Sequence, residues 1–158
     1  MLVTRERPGE LAVKLLEQGA TVIHVPLIAV VDAADGGRAL RDALSRLDQY
    51  DWLVVTSPAG AERVGAAARL VPGVRLAAVG TATARVLRRE SVRPVDLVPD
   101  VQRVDGLVAA FQAESLTPQR VLIAQADIAP PTLADALRGG GHDVTTVTAY
   151  RTVPHEPD

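Results

Sequence analysis

Cysteine is absent from the 158 residues, which excludes disulfides and thiolate chemistry and gives no sign of export. Aromatic side chains are nearly absent too: one Trp, one Phe and two Tyr. That argues against a stacking platform for bases or single strands, and the core has to be assembled from Val, Leu, Ala and Ile. There is no excess of positive charge. A net charge of −2 argues against a nucleic-acid partner, whose binding face shifts the balance toward basic. Anionic small molecules remain open, because helix N-termini bind them without net positive charge. No apolar run reaches the length of about 18 residues that a membrane span needs, and the chain opens without a leader-like pattern, so a cytoplasmic protein is expected. What is present, 47% apolar and 23% charged residues, is the balance of an ordinary globular chain large enough for one domain, or one domain and a piece of another.

Apolar runs alternate with helical patterns from end to end. Strands are expected at 2–4, 21–25, 27–31, 52–56, 75–79, 95–98 and 120–124, with a last extended stretch over 144–153. Helices are expected at 11–16, 38–47, 58–70, 82–89, 105–114 and 131–138, with Gly19 closing the first in the left-handed conformation. Strands separated by helices of this length imply an α/β fold with a parallel sheet, three layers thick.

Two stretches stand out: Tyr50-Asp51-Trp52-Leu53-Val54-Val55-Thr56-Ser57-Pro58-Ala59-Gly60 and Leu76-Ala77-Ala78-Val79-Gly80-Thr81-Ala82-Thr83. Each is an apolar run that halts at hydroxyl and glycine residues and resumes as a helix. Ser57 suits an N-cap with Pro58 at the first helical position, and Thr81 suits the same role after Gly80. The hydroxyls either only cap helices or, if the two strands are neighbours, bring two helix N-termini to one crevice at the carboxyl edge of the sheet, where ligands bind in open α/β folds. The long extended runs over 21–31 and 144–153 flank the segment between them as if the chain leaves one domain, builds another and returns. The opening strand–helix–strand is too small to hold a core alone.

These segments together resemble uroporphyrinogen-III synthase. The matching pieces are Leu2-Val3-Thr4-Arg5, Val25-Pro26-Leu27-Ile28, Tyr50 to Ser57, Ala78-Val79-Gly80-Thr81-Ala82-Thr83-Ala84, Val121-Leu122-Ile123-Ala124 and Ala149-Tyr150-Arg151-Thr152-Val153-Pro154. Their order and spacing across the whole chain carry the resemblance. It implies a flavodoxin-like parallel-sheet domain over 33–146, inserted into a second, incomplete α/β domain of which 1–26 is the opening piece. A two-stranded β ladder, 27–32 with 147–154, would join them. Asp158 falls where the rest of the first domain should begin, as in a fragment or a shortened relative. Where many relatives show an Arg-Gly-Asp-like turn with a later Arg, this chain reads Gln125-Ala126-Asp127-Ile128-Ala129-Pro130, so contacts carried by those arginines are not expected.

The resemblance also implies a reaction: cyclisation of hydroxymethylbilane to uroporphyrinogen III with inversion of ring D and loss of water. No cofactor and no metal are implied, and the chain has no Cys/His cluster, Walker-type loop or dinucleotide fingerprint. Tyr150 is the candidate acid, or hydrogen-bond partner, for the leaving hydroxyl; the alternative is that it packs on the ladder. A phenol is a weak acid, so its removal should slow the reaction without abolishing it. Ser57 and Thr83 are candidates for holding acetate or propionate groups, with Gly80 and Thr81 offering backbone N–H groups at a helix terminus. Arg5 is a candidate for a substrate carboxylate, or else for an interdomain ion pair. His24, His142 and His155 lack ligand spacing, Trp52 reads as core, and Arg85, Arg88 and Arg89 read as a solvated helix face, the alternative being that they attract the polyanionic substrate. The complete protein is expected to be a monomer, and a fragment to associate. Two rivals stand beside the enzyme: a non-catalytic or truncated synthase-derived binding module, and an unrelated receiver-like or flavodoxin-like α/β domain; Asp51, at the start of a strand, counts against a receiver.

Overall fold

Alternation along strand 52–55 decides the architecture. Leu53 and Val55 are packed with residues of three helices on one side, while Trp52 and Val54 join residues of two other helices on the opposite side. A strand buried on both faces is apolar throughout, and all four of these side chains are fully buried. The computed structural model describes residues 1–114 and 117–156.

In chain order the elements are β1 (Leu2–Val3), α1 (Gly9–Glu17), β2 (Ile23–His24), β3 (Ile28–Val31), α2 (Arg38–Leu44), β4 (Trp52–Val55), α3 (Pro58–Leu70), β5 (Arg75–Ala78), α4 (Thr81–Ser91), α5 (Val104–Glu114), β6 (Arg120–Ala126), α6 (Thr132–Gly139) and β7 (Asp143–Pro154). Five strands form one sheet in the order β3-β7-β6-β4-β5. The pairings among β7, β6, β4 and β5 are parallel, and β3 joins β7 antiparallel. One face carries α2, α3 and α4 over Leu53, Val55, Leu76, Leu122 and Tyr150. The other carries α5 and α6 over Trp52, Val54, Val121 and Ile123, with Phe111 tilted against Trp52 at 4.9 Å between ring centroids. This is the three-layer parallel α/β fold that the sequence pattern implies. Among the described residues no helix is long and apolar enough to cross a membrane.

β1 and β2 form a separate two-stranded parallel sheet, Leu2 opposite Ile23 and Val3 opposite His24. Gly19 closes α1 with φ +78°, the left-handed turn expected from its position. This unit keeps Leu2, Val13, Leu16 and Ile23 exposed.

Two expected elements come out smaller. The strand expected at 95–98 is reduced to a single bridge between Leu97 and Ala77. Pro94 and Pro99 flank it and stop the ladder from extending, and Asp96 occupies one ladder position with its side chain, accepting the Leu76 N–H at 2.7 Å. The helix expected at 38–47 ends at Leu44, and a 3-10 turn follows over Leu47–Gln49. β7, by contrast, is one strand of 12 residues that pairs with β6 as far as Tyr150 and with β3 from Arg151 onward.

Helices α3 and α4 cross at Gly65. A Cβ there would lie 2.2 Å from Glu90 Cβ and 3.1 Å from its carbonyl carbon. Gly65→Ala in an exposed helix would stabilise by about 0.5–1 kcal/mol. Here the extra methyl has to push the helices apart, which costs about 1–3 kcal/mol. The expected outcome in thermal unfolding is therefore a Tm lowered by several degrees; an unchanged or raised Tm would contradict this crossing.

Candidate functional site

β4 and β5 are parallel neighbours, with Val55 opposite Ala78. The turns that follow them therefore lie side by side at the carboxyl edge of the sheet. A cavity of about 460 Å³ opens there, lined on one side by Arg5, Arg7 and Gly9 and on the other by Ser57, Pro58, Ala59, Glu62, Tyr150 and Thr152, with Ile28 and Val30 of β3. A second, of about 510 Å³, shares Arg5, Arg7, Gly9, Pro58 and Glu62 with it and continues along α4 past Ala82, Arg85 and Arg89. The two make one groove between the N-terminal unit and the α3–α4 pair.

Ser57 is positioned by its own helix. It is the N-cap of α3 in extended conformation (φ −150°), its Oγ accepts the Gly60 N–H at 3.1 Å, and Pro58 fills the first helical position. The Tyr150 hydroxyl donates to the same Oγ at 2.8 Å. Tyr150 is only 7% exposed, yet it lines the groove. The Arg63 guanidinium sits over its ring, 5.5 Å from the centroid, and pairs with Asp32 at 3.5 Å. A cation over an aromatic face holds the ring there while the hydroxyl contact holds its tip.

The six candidates from the sequence thus divide. Arg5, Ser57 and Tyr150 meet at one cavity. Arg5 has no ion pair among the described residues, and its carbonyl is tied by His24 Nε2 at 2.8 Å. Gly80 and Thr81 start α4, with Gly80 rather than Thr81 as the N-cap. Gln102 accepts from both the Thr81 N–H (3.0 Å) and the Thr81 hydroxyl (3.1 Å), so those donors are already engaged. Thr83 departs from the expectation of a groove-facing hydroxyl: it is 3% exposed, because its phase on α4 turns it into the protein. The sequence reading did not single out Arg7, Glu62 or Arg63. Glu62 follows Pro58 by four residues and so shares its helix face, a spacing from which its place in the groove was legible.

The remaining polar features lie outside this groove. Asp35 lies in another cavity of about 510 Å³ with Asp127 and Arg151. Hydrogen bonding by the Ala39 N–H (2.7 Å), with Gly37 N–H at 2.9 Å, holds its carboxyl below the usual aspartate value. In the divergent turn after β6, the Asp127 N–H donates to the Tyr150 carbonyl at 3.0 Å and its Oδ1 accepts the Thr152 N–H at 3.3 Å. His142 is buried against Phe111 and accepts the Gln119 N–H. Among the described residues no cluster of three His, Cys, Asp or Glu could hold a metal ion.

A doubly covered parallel sheet with a groove at its carboxyl edge defines the class of open α/β folds, in which that edge is the usual place for ligands. The family model described as uroporphyrinogen-III synthase HemD matches residues 9–158, and the chain belongs to that family. It is 31% identical over 159 residues to a protein of Methanothermobacter thermautotrophicus assigned as a uroporphyrinogen-III synthase, covering 96% of this chain and 61% of the relative. It is 28% identical to a chloroplastic uroporphyrinogen-III synthase of rice, Oryza sativa subsp. japonica, covering 97% of this chain and 53% of that one. A crystal structure of mutant uroporphyrinogen III synthase from the extremely thermophilic bacterium Thermus thermophilus superposes with a TM-score of 0.62 at 22% identity, covering 98% of this chain and 62% of that one. That of the Helicobacter pylori 26695 synthetase gives 0.56 at 14%, covering 88% and 59%. The structural likenesses carry the fold alone. This chain spans between half and two thirds of the length of these relatives.

Ser57 serves two donors at once, so its loss has a defined signature. Ser57→Ala is expected to destabilise by about 1–2 kcal/mol in urea unfolding, and Tyr150→Phe by less. If the Tyr150–Ser57 bond forms, the double variant falls short of the sum by about 0.5–1 kcal/mol. Strict additivity would contradict the bond.

Proposed function

We propose that this chain forms one wall of a uroporphyrinogen-III synthase, and that the groove at Arg5, Ser57 and Tyr150 receives hydroxymethylbilane. The observation that carries the reading is the meeting of Tyr150 and Ser57 at 2.8 Å in a cavity that Arg5 also lines, within a chain matched by the family model over residues 9–158. In this reading residues 1–26 open a discontinuous domain, 27–32 and 147–154 are the connecting ladder, and 33–146 are the inserted domain. The separateness of the β1–β2 sheet and the antiparallel β3–β7 pairing support that division.

The chemistry asks for a proton at the leaving hydroxyl and for control over a flexible chain. The Tyr150 phenol, which in the free protein donates to Ser57, turns its proton toward the substrate hydroxyl. The C–O bond breaks, water leaves, and the pyrrole nitrogen lone pair gives the azafulvene. Ring D attacks through its already substituted α-carbon to form the spiro intermediate. The bond between that carbon and the preceding methylene then breaks, and the ring recloses through its other α-carbon. The proton released on rearomatisation restores the balance. Orientation in the groove supplies most of the selectivity, because an unguided chain closes without inversion. Arg5, with no ion pair of its own among the described residues, is placed to meet a substrate carboxylate.

A second reading, a synthase-derived module that binds without catalysis, is favoured by one observation: the turn after β6 reads Gln125-Ala126-Asp127-Ile128-Ala129-Pro130, without the arginines of the family pattern. One assay separates the two. Incubation with freshly generated hydroxymethylbilane and chromatography of the product isomers is expected to give type III in excess over the protein-free control. It should fall by about tenfold in Tyr150→Phe, less than the hundredfold or more usual for a general acid, because a phenol is a weak acid. Type I alone, with tetrapyrrole still bound, would contradict the catalytic reading in favour of binding.

A further inference from the structure

Two ion pairs cross the groove, and both tie the N-terminal unit to the α3–α4 pair. Arg7, in the turn after β1, reaches Glu62 of α3 at 2.9 Å, and Arg85 of α4 pairs with Glu10 of α1. Arg89 of α4 approaches Glu62 at 4.0 Å from the other side while holding Glu90 at 2.8 Å. Glu62 is therefore a carboxylate lodged between guanidinium groups from two different segments, on the wall common to both cavities. The side chains of Arg7, Arg85, Arg89 and Glu10 are 63–68% exposed, and exposed pairs contribute little net stability. Replacing one carboxylate by another in such a pair costs little.

We propose that Glu10 and Glu62 are placeholder carboxylates: in the free protein they occupy Arg85 and Arg7, and an acidic tetrapyrrole entering the groove displaces them and takes over both arginines. The ligand is a flexible chain carrying several carboxylates, and the inference rests on the functional reading above. Exchange keeps the arginines oriented before binding, so the guanidinium groups are presented ready for bidentate contact. It also makes the groove selective. A ligand with a single carboxylate meets competition from both glutamates, whereas one with several displaces them together.

A placeholder role has a sign that a purely structural one lacks. Breaking the two pairs from the acidic side (Glu10→Gln with Glu62→Gln) and from the basic side (Arg7→Gln with Arg85→Gln) destroys the same contacts. If the pairs only hold the N-terminal unit in place, both double variants change ligand affinity in the same direction. If the glutamates are placeholders, the acidic double variant binds more tightly and the basic one less. Equilibrium dialysis with uroporphyrin III, the stable oxidised form of the proposed product, reads this directly. The expected result is an affinity raised about two- to fivefold in the acidic variant and lowered at least as much in the basic one, with both differences shrinking as salt is raised. Glu114→Gln, which breaks the Arg75 pair away from the groove, should leave affinity unchanged. Wild-type binding with both double variants weakened, or neither changed, overturns the placeholder role alone. No binding of uroporphyrin III by the wild-type protein overturns it together with the functional reading.

Discussion

The structure depends on β7 continuing without a break from one pairing to another. Up to Tyr150 it runs parallel to β6; from Arg151 its partner is β3, antiparallel. The register shifts at Gln125 and Ala126, where Thr148 and Tyr150 are the successive partners. That extra residue at Ala149 leaves both Ala149 and Tyr150 buried in the core above α3, a local kink of the kind that re-aims a side chain at the end of a ladder. Without it, simple alternation would put Tyr150 on the opposite face. The divergent turn at Asp127 secures the kink from below through the Tyr150 carbonyl and the Thr152 N–H.

The carboxyl edge then shows two solutions to one problem. Each of two neighbouring helices has to satisfy its first N–H groups. α3 does so with Ser57, whose hydroxyl remains in the groove and also accepts a hydrogen bond from the Tyr150 hydroxyl. α4 starts at a glycine with no side-chain cap of its own and borrows Gln102 from the loop before α5. The first solution leaves a reactive-looking pair facing open space, while the second consumes the polar groups that make it. This asymmetry explains why the groove is built around α3, with α4 contributing charge further along through Arg85 and Arg89.

Much of the architecture was readable because local and global signals agree. The runs at 52–55, 76–78 and 121–124 are buried on both faces, as their unbroken apolar composition implies. Ser57-Pro58 is a cap signature with a mechanism, and so is Gly19. What was not readable depends on contacts between distant segments. Thr83 looked like part of a hydroxyl cluster, but the start of α4 at Thr81 fixes a helical phase that buries it. Arg85 and Arg89 had the look of a solvated face, and only the docking of α1 turns that face into a groove wall. The placing of Arg63 over Tyr150 joins a residue of α3 to one of β7, far apart in the chain, a separation at which sequence pattern carries no signal. The strand at 95–98 had the right composition and lost its ladder to two prolines and an aspartate side chain.

The central claim is that a tetrapyrrole occupies the groove at the start of α3. Because the chain has no cysteine, a single introduced thiol is an unambiguous reporter. Ala59→Cys would place one in that groove and Thr146→Cys one in the cavity beside α2. The alkylation rate of each by iodoacetamide can be followed by mass spectrometry with and without uroporphyrin III. The account predicts that the ligand slows alkylation at position 59 several-fold and leaves position 146 unchanged. Protection at 146 with none at 59 would contradict it.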